Sequence, residues 1–422
     1  MRRAVNRRCS VKDKKRGLPG VIWAAELLSI LYGLSCAALY AVEMKPVINA
    51  QLLGGQYFYN NTDNSFGGFA ALAAAPYLKW NDAWSLVPLY SGQYKGTQQV
   101  QDLLGGGTLF QDSQDHDVSL KGIRTFDNGL KVKAIGSYGV EWLRETKDEG
   151  WSRGLYDNHR LAGGAEAEWS WAQDRFVRMA YDYYAVRFPN YQSLESGQVA
   201  GGLGRELAQP DVLNNNNHSL TLAGQCRVPG DGLLEWSTNN TWRHFHDQHV
   251  VVLSGDLTPA TRQDYLHSIS GTATWPVWTR GRLRLLGGGG YTWTQLLSNQ
   301  NSYDAQKLVF RPDFYGYHAQ TLQTRWTLLT GDKPWSLTFQ GLLTRQTYTD
   351  RPVQDAVGNY GTDKTKVDFA SVSLELGYPI AKGFQLTFNT ALGWNNSNNH
   401  DVMVYQYHYH TASYLAGFSY AY

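Results

Sequence analysis

The chain has 422 residues, of which 14% are aromatic, 43 are glycine and 13 are proline, and its formal net charge is +2 at neutral pH. This balance favours strands joined by tight turns over helices. The small net charge gives no support to nucleic-acid binding. Beyond residue 41 no apolar run reaches the roughly 18 residues that a membrane-spanning helix requires, so no such helix is predicted there.

Residues 1–41 have the composition of a secretory signal peptide. Eight basic residues precede an apolar stretch that runs from Leu18 to Ala41 and ends in small residues. An uncleaved membrane anchor and a lipidated Cys36 stay open as alternatives. Without this segment the chain keeps 30 basic and 34 acidic residues, a net charge of −4, and Cys226 as its one cysteine. We therefore expect no disulfide framework.

From residue 44 onward, strand-like runs alternate with connections that are short and long in turn. Sixteen strands are predicted, over 44–59, 67–79, 84–95, 115–126, 130–144, 158–172, 175–188, 218–228, 233–246, 263–277, 282–296, 314–329, 335–348, 365–378, 384–395 and 404–422. The short turns, such as "FDNGL" at 126–130, carry residues that accept a positive φ. Because Pro76 and Pro88 interrupt the first runs, counts from fourteen to eighteen stay open.

Alternation along these runs predicts a sheet with one apolar and one polar face. The even positions of 130–143 are apolar or small, whereas Lys131, Lys133 and Glu141 lie on odd positions. The apolar faces extend over about ten residues, the length that a tilted strand needs to cross a bilayer. Aromatic residues stand at both ends of these faces, as in the girdles of membrane barrels: Trp84, Trp169, Trp171, Trp275, Trp335, Tyr378 and Phe384 near short turns, and Trp142, Tyr183, Trp293 and Trp394 near long loops.

The sequence therefore predicts an all-β fold. Residues 42–422 form a single antiparallel transmembrane β-barrel of about sixteen strands, with short periplasmic turns and long extracellular loops.

In each run, the charged residues on the polar alternate positions are expected to line the lumen. They are Lys121, Lys131, Lys133, Glu141, Glu166, Glu168, Arg178, Asp182, Arg227, Glu235, Arg282, Arg284 and Glu375. Seven basic and six acidic groups do not form the single-sign lining that a phosphate-selective pore would need. The alternative is that these groups are ion pairs and solvated wall charges.

Other candidate sites are weaker. The connection 189–217 either folds inward and narrows the pore or extends as a flexible external loop. His244, His246 and His249 would permit a metal site, but without Cys or a distant fourth ligand a solvated loop is the alternative interpretation. Ser and His residues are scattered without a nucleophile–base grouping, so we expect neither an enzyme nor a cofactor.

The C-terminus carries the most specific motif. The chain ends in "ASYLAGFSYAY", with aromatic rings at Tyr414, Phe418, Tyr420 and the last residue, Tyr422; His408 and His410 share their outward parity. In this it resembles Gram-negative outer-membrane β-barrel proteins, whose final strand alternates aromatic residues and ends on one. The resemblance implies that the four aromatic residues are an assembly signal. It also implies location in the bacterial outer membrane, with the barrel-assembly machinery, outer-membrane lipid and lipopolysaccharide as partners.

Three functions stay open for such a chain. A porin-like channel for small hydrophilic solutes is favoured, because a mixed polar lumen of sixteen strands is wide enough for water. The second is the barrel component of an export or assembly complex, such as exopolysaccharide export, which would need a separate periplasmic partner. The third is a structural or adhesive barrel with a blocked lumen. Nucleic acid is not expected as a partner.

Overall fold

The computed structural model describes residues 43–60, 63–101, 108–144, 150–191, 204–207, 210–305, 307–331, 335–401 and 407–422. The chain divides into two compact units, Met1–Glu43 and Met44–Tyr422. The predicted signal peptide, residues 1–41, lies outside the described residues and stays an expectation. Within the described ranges, no helix combines the length and the apolar character needed to cross a membrane.

The described part of the chain contains twenty strands and one 3-10 helix. The strands are β1 (Glu43–Lys45), β2 (Ile48–Tyr59), β3 (Asp63–Ala74), β4 (Tyr77–Lys79), β5 (Trp84–Gln101), β6 (Thr108–Thr125), β7 (Leu130–Arg144), β8 (Asn158–Ala172), β9 (Arg175–Arg187), β10 (Asn215–Val228), β11 (Gly232–Val251), β12 (Leu257–Arg280), β13 (Leu283–Ser298), β14 (Ser302–Asp304), β15 (Val309–Arg311), β16 (Tyr317–Thr330), β17 (Ser336–Gln354), β18 (Tyr360–Ala381), β19 (Phe384–Ser397) and β20 (Tyr409–Ala421). The helix is Arg205–Leu207.

Sixteen strands form a closed antiparallel barrel. Each pairs with the next in chain order, and β20 returns to pair with β2, from Asn49 opposite Ala421 to Tyr59 opposite Thr411. The three-residue strands β1 and β4 bring the sheet to eighteen strands, and β14–β15 is a separate hairpin. The predicted all-β barrel of sixteen strands is confirmed.

The predicted strands match the observed ones best at the short turns. The runs 130–144 and 158–172 coincide with β7 and β8. The opposite ends of the strands carry the long connections and are called outer ends here. Several strands extend further at their outer ends than predicted. Strand β12 begins at Leu257 instead of residue 263. Backbone pairing continues there beyond the apolar face, where no hydrophobic alternation marks it in the sequence.

The turn between β6 and β7 shows how the sequence closes a hairpin. Gly129 has a φ of 81°, which glycine adopts without steric cost. The side-chain oxygen of Asn128 accepts a hydrogen bond of 3.1 Å from the backbone N–H of Leu130. These two residues fix the short turn that the motif "FDNGL" predicts.

The barrel has an apolar outward face. Large apolar side chains remain exposed along it, including Leu161 at 64%, Leu343 at 59% and Phe418 at 52%. An exposed apolar surface of this extent is stable where lipid covers it. Cys226 has the parity of the exposed Leu222 and lies on the same face, as a half-buried free thiol.

The seam between β2 and β20 closes by close backbone approach. The backbone N–H of Ile48 donates to the carbonyl of Tyr422 at 3.2 Å, and that of Tyr422 donates to Ile48 at 2.9 Å. A Cβ added at Gly417 would collide with the carbonyl oxygen of Leu52, and one added at Gly55 would collide with that of Tyr414. Glycine is therefore required on both sides of the seam.

Deletion of Tyr422 is expected to impair assembly of the barrel. It removes both hydrogen bonds to Ile48, each worth about 0.5–1.5 kcal/mol, together with the terminal aromatic ring. The measurement is the heat-modifiable fraction of the protein in outer-membrane preparations. Tyr422→Phe keeps the ring and the backbone pair and should assemble normally. Normal assembly of the deletion variant would argue against Tyr422 as part of an assembly signal.

Candidate functional site

The inner face of the sheet carries the charged residues that parity selects. Residues directly opposite each other on paired strands share a face, so the exposed Val132 and Tyr138 leave Lys131 and Lys133 on the inner side of β7. The same reasoning gives an inner position to Lys121, Glu141, Glu166, Glu168, Arg178, Asp182, Arg227, Glu235, Arg284 and Glu375. Arg282 lies in the turn before β13. Their part in conduction stays a prediction.

Four of these side chains form an ion-pair network across β7 and β8. Lys133 Nζ lies 2.6 Å from Glu166 Oε1 and 2.7 Å from Glu168 Oε2. Lys131 Nζ lies 3.2 Å from the other oxygen of Glu168. These charges neutralise one another, which is the alternative that the sequence left open for wall charges. Near the short turn that follows β8, Arg227 pairs in the same way with Asp174.

Four other charged side chains on β6, β8 and β9 make no salt bridge within the described residues. They are Asp117, Lys121, Arg160 and Asp182. Lys121 and Asp182 were predicted from parity, whereas Asp117 and Arg160 were missed. The signal for Asp117 was present, because it lies four residues from Lys121 on the same face of β6. The guanidinium of Arg160 lies over the ring of Tyr184, 4.3 Å from its centroid.

Asp117, Lys121 and Arg160 border a recess in the wall over β5–β8, called the wall recess here. Its volume is about 460 Å³. The lining residues are Val87, Leu89, Asp117, Ser119, Lys121, Ile135, Ser137 and Arg160. A volume of this size lies within the range of small-molecule sites in proteins.

The wall across the barrel from the recess is rich in hydroxyl groups. Its inner face carries cross-strand hydroxyl pairs on neighbouring strands: Thr321–Thr344 at 2.9 Å, Thr327–Thr338 at 3.1 Å and Thr387–Ser419 at 3.2 Å. Strands β11 and β12 add Ser237–Ser270 at 2.7 Å. Because the hydroxyl group both donates and accepts, this wall suits water and neutral polar solutes.

Described parts of the connection 189–217 pack against residues at the outer strand ends. Leu207 and Val212 are buried in an apolar cluster with Phe188, Tyr191 and Leu213. Beside it the carboxylate of Glu206 accepts hydrogen bonds from the hydroxyl of Tyr315, at 2.6 Å, and from the backbone N–H of Tyr303, at 3.3 Å. These residues are therefore packed against the connection between β13 and β16; whether the connection 189–217 narrows the pore stays a prediction, and residues 192–203 and 208–209 lie outside the described residues.

A buried ion pair supports this rim from the strands. Arg262 donates two hydrogen bonds of 2.8 Å to Asp264, whose side chain is 1% exposed. Its guanidinium also lies over the rings of Phe245 and Tyr315, at 4.7 and 4.4 Å from their centroids. Burial raises the pKa of the nearby Glu206 carboxyl, and burial together with Glu206 raises the pKa of Tyr315. The tyrosine therefore stays protonated and remains a donor to Glu206.

Comparison with known proteins finds distant likenesses among solved structures and no family. No family model matches the sequence, and no curated protein matches it. Among solved structures it is similar to Acinetobacter baumannii OccAB1, at 8% identity over 90% of this chain and 96% of that chain, with a TM-score of 0.48. It is also similar to Pseudomonas aeruginosa OccD3, at 10% identity over 90% of this chain and 93% of that chain, with a TM-score of 0.44. The trimer form of Vibrio cholerae OmpT is similar at 13% identity over 90% of this chain and 100% of that chain, also with a TM-score of 0.44.

At such identities and scores these likenesses carry no functional argument. The closed sixteen-stranded sheet, its apolar outward face and its aromatic final strand are observed independently of them. The protein is an outer-membrane β-barrel. No narrower family is shown.

The outward face of this outer-membrane barrel carries a set of tyrosine–histidine pairs near the outer strand ends. In each pair the tyrosine hydroxyl and histidine Nδ1 are within hydrogen-bond distance: Tyr90–His116 at 3.0 Å, Tyr138–His159 at 2.8 Å and Tyr181–His218 at 2.7 Å. Each pair joins neighbouring strands and satisfies polar atoms that face lipid. Outward parity predicts such a position for His408 and His410; the cross-strand pairing of the other histidines could not be seen without the register.

The candidate metal ligands do not converge. The rings of His244 and His246 lie 5.4 Å apart, and His249 follows a register shift in β11. Within the ranges that the structure describes, no three His, Cys, Asp or Glu side chains are arranged to hold a metal ion.

Proposed function

We propose that the protein is an outer-membrane channel for small hydrophilic solutes. One observation carries the proposal: Arg160, Arg178 and Glu235, on the inner face of their strands, are exposed to solvent. A dry or packed lumen would bury these charges at a high cost in free energy. Barrels of sixteen strands are wide enough to leave an aqueous channel.

The lining supports weak ion selectivity. The ion pairs on β7 and β8 cancel much of the wall charge, and the remaining groups carry both signs. A lining of mixed sign attracts neither cations nor anions strongly, whereas solutes that carry hydroxyl or paired charged groups find partners on it. We assign no catalytic role to these groups. We also propose that the segment 1–41 directs export of the chain and that the barrel inserts into the bacterial outer membrane.

Planar-bilayer recording of purified residues 42–422 tests the function. We expect steady conductance with weak selectivity between cations and anions. A matched variant lacking residues 189–217 separates the alternatives, because described parts of this connection pack at the outer mouth. Silence of both proteins would contradict the channel and favour a blocked structural barrel. Conductance of the deletion variant alone would also contradict it and would point to a gated export component.

A further inference from the structure

The wall recess has an ordered arrangement of charge. Asp117, Gly139 and Arg160 lie opposite one another in one row across β6, β7 and β8. Neighbouring strands are about 4.8 Å apart, so the Cα atoms of Asp117 and Arg160 are separated by about 10 Å. Gly139 places no side chain between them, and its missing Cβ would lie 3.2 Å from Asp117 Oδ2. The carboxylate of Asp117 therefore leans over Gly139 toward the strand that carries Arg160.

A second row lies four residues closer to the short turns. Lys121 and Asp182 stand at its two ends, with Ile135 and Gly164 between them. The carboxylate of Asp182 occupies the space that a side chain at Gly164 would fill. The order of charges is reversed relative to the first row, because the base, Lys121, lies on β6 and the acid, Asp182, lies on β9.

The four charges influence one another without forming contacts. Arg160 acts electrostatically on Asp117 and Asp182, and Lys121 acts on Asp182, yet none of these groups forms a salt bridge within the described residues. Each carboxylate thus has a base within electrostatic range with which it forms no salt bridge. A solute that carries one positive and one negative group can place a matching charge beside an acid and a base at once.

The remaining lining adds an apolar side. Val87, Leu89 and Ile135 line the recess beside the hydroxyl groups of Ser119 and Ser137. An apolar side chain on the solute would contact the first three, and the hydroxyl groups would replace water around its polar part. The lining holds one carboxylate, Asp117, and two bases, Lys121 and Arg160, so a simple ion of either sign meets at least one group of its own sign, whereas a zwitterion matches both.

We propose that the wall recess binds zwitterionic solutes of amino-acid size during passage through the channel. Asp117 receives the ammonium group and Arg160 the carboxylate, with Asp182 and Lys121 reinforcing the two charges. Tyr184 holds the guanidinium of Arg160 by stacking against it. The inference rests on the proposed channel function.

Current block by L-leucine tests the recess in planar bilayers. The matched probes are 4-methylpentanoate, which lacks the ammonium group, and 3-methylbutylamine, which lacks the carboxylate. Because a charge-assisted hydrogen bond is about twice as strong as a neutral one, we expect leucine to reduce the current at a concentration about tenfold lower than either probe. Equal effects of the three probes would overturn the inference.

Substitution of one base gives the control. Arg160→Gln should weaken the leucine effect about tenfold, whereas Arg178→Gln removes the same charge from the inner face outside the recess and should leave the effect unchanged. Equal loss in both variants would also overturn the inference. A conducting channel that leucine does not affect contradicts the recess alone; absence of conductance contradicts the channel function itself.

Discussion

Substitution of Gly417 by alanine is expected to prevent closure of the barrel. The added Cβ would be driven into the carbonyl oxygen of Leu52 on the facing strand. Both strands of the seam are held by their other neighbours, so neither can move aside without loss of pairing. Overpacking costs typically about 1–3 kcal/mol and occasionally more, and contact with backbone places this case at the upper end. Three kcal/mol corresponds to about a hundredfold loss in the ratio of closed to open barrel.

The assembled fraction, measured by heat modifiability in outer-membrane preparations, reports this effect. Gly136→Ala on β7 is the matched control, because no atom lies within 4 Å of its added Cβ. Gly55→Ala, on the other side of the seam, should behave like Gly417→Ala. If Gly417→Ala assembled as well as Gly136→Ala, the close approach at the seam would not govern closure.

Substitution of Asp264 by alanine should loosen the outer mouth. It leaves the buried guanidinium of Arg262 without its carboxylate, and breaking a buried pair in this way costs about 3–5 kcal/mol. Tyr315 contacts both Arg262 and Glu206, so the packing of the connection 189–217 at the outer mouth should weaken with the loss of Asp264. Faster proteolytic cleavage within this connection, in the folded barrel in detergent, is the measurement.

Two variants make the measurement specific. The double substitution Arg262→Met/Asp264→Leu removes both charges and should be cleaved more slowly than Asp264→Ala, because no unpaired charge stays buried. Asp368→Ala breaks the exposed pair with Arg345 on the outward face and should leave cleavage unchanged. Cleavage of Asp264→Ala at the wild-type rate would show that the buried pair does not support the rim.

Most of the barrel could be predicted from the sequence because its two faces differ so clearly. Apolar and polar side chains alternate along the whole of β7 and β8, and the short turns carry residues that fix a hairpin. The outer ends of β12 and β17 were not predicted. Their residues pair by backbone groups, which leave no trace in side-chain alternation.

The candidate site could be predicted only in part because it depends on register. Parity assigned Lys133, Glu166 and Glu168 to one face, but β7 and β8 are joined by a long connection whose length does not fix the pairing of their residues. The ion pairs among them, and the row that joins Asp117 to Arg160, depend on that register. The contact of Glu206 with Tyr315 spans 109 positions and leaves no local signal.

The tyrosine–histidine pairs have a consequence for the depth of the barrel in the membrane. All three lie on strands β5 to β10, the sector whose inner face carries the wall recess. Downward movement of this sector would carry paired polar rings into hydrocarbon, and upward movement would expose its apolar band to water. The recess therefore stays at one depth in the bilayer, even if the rest of the barrel tilts around this sector.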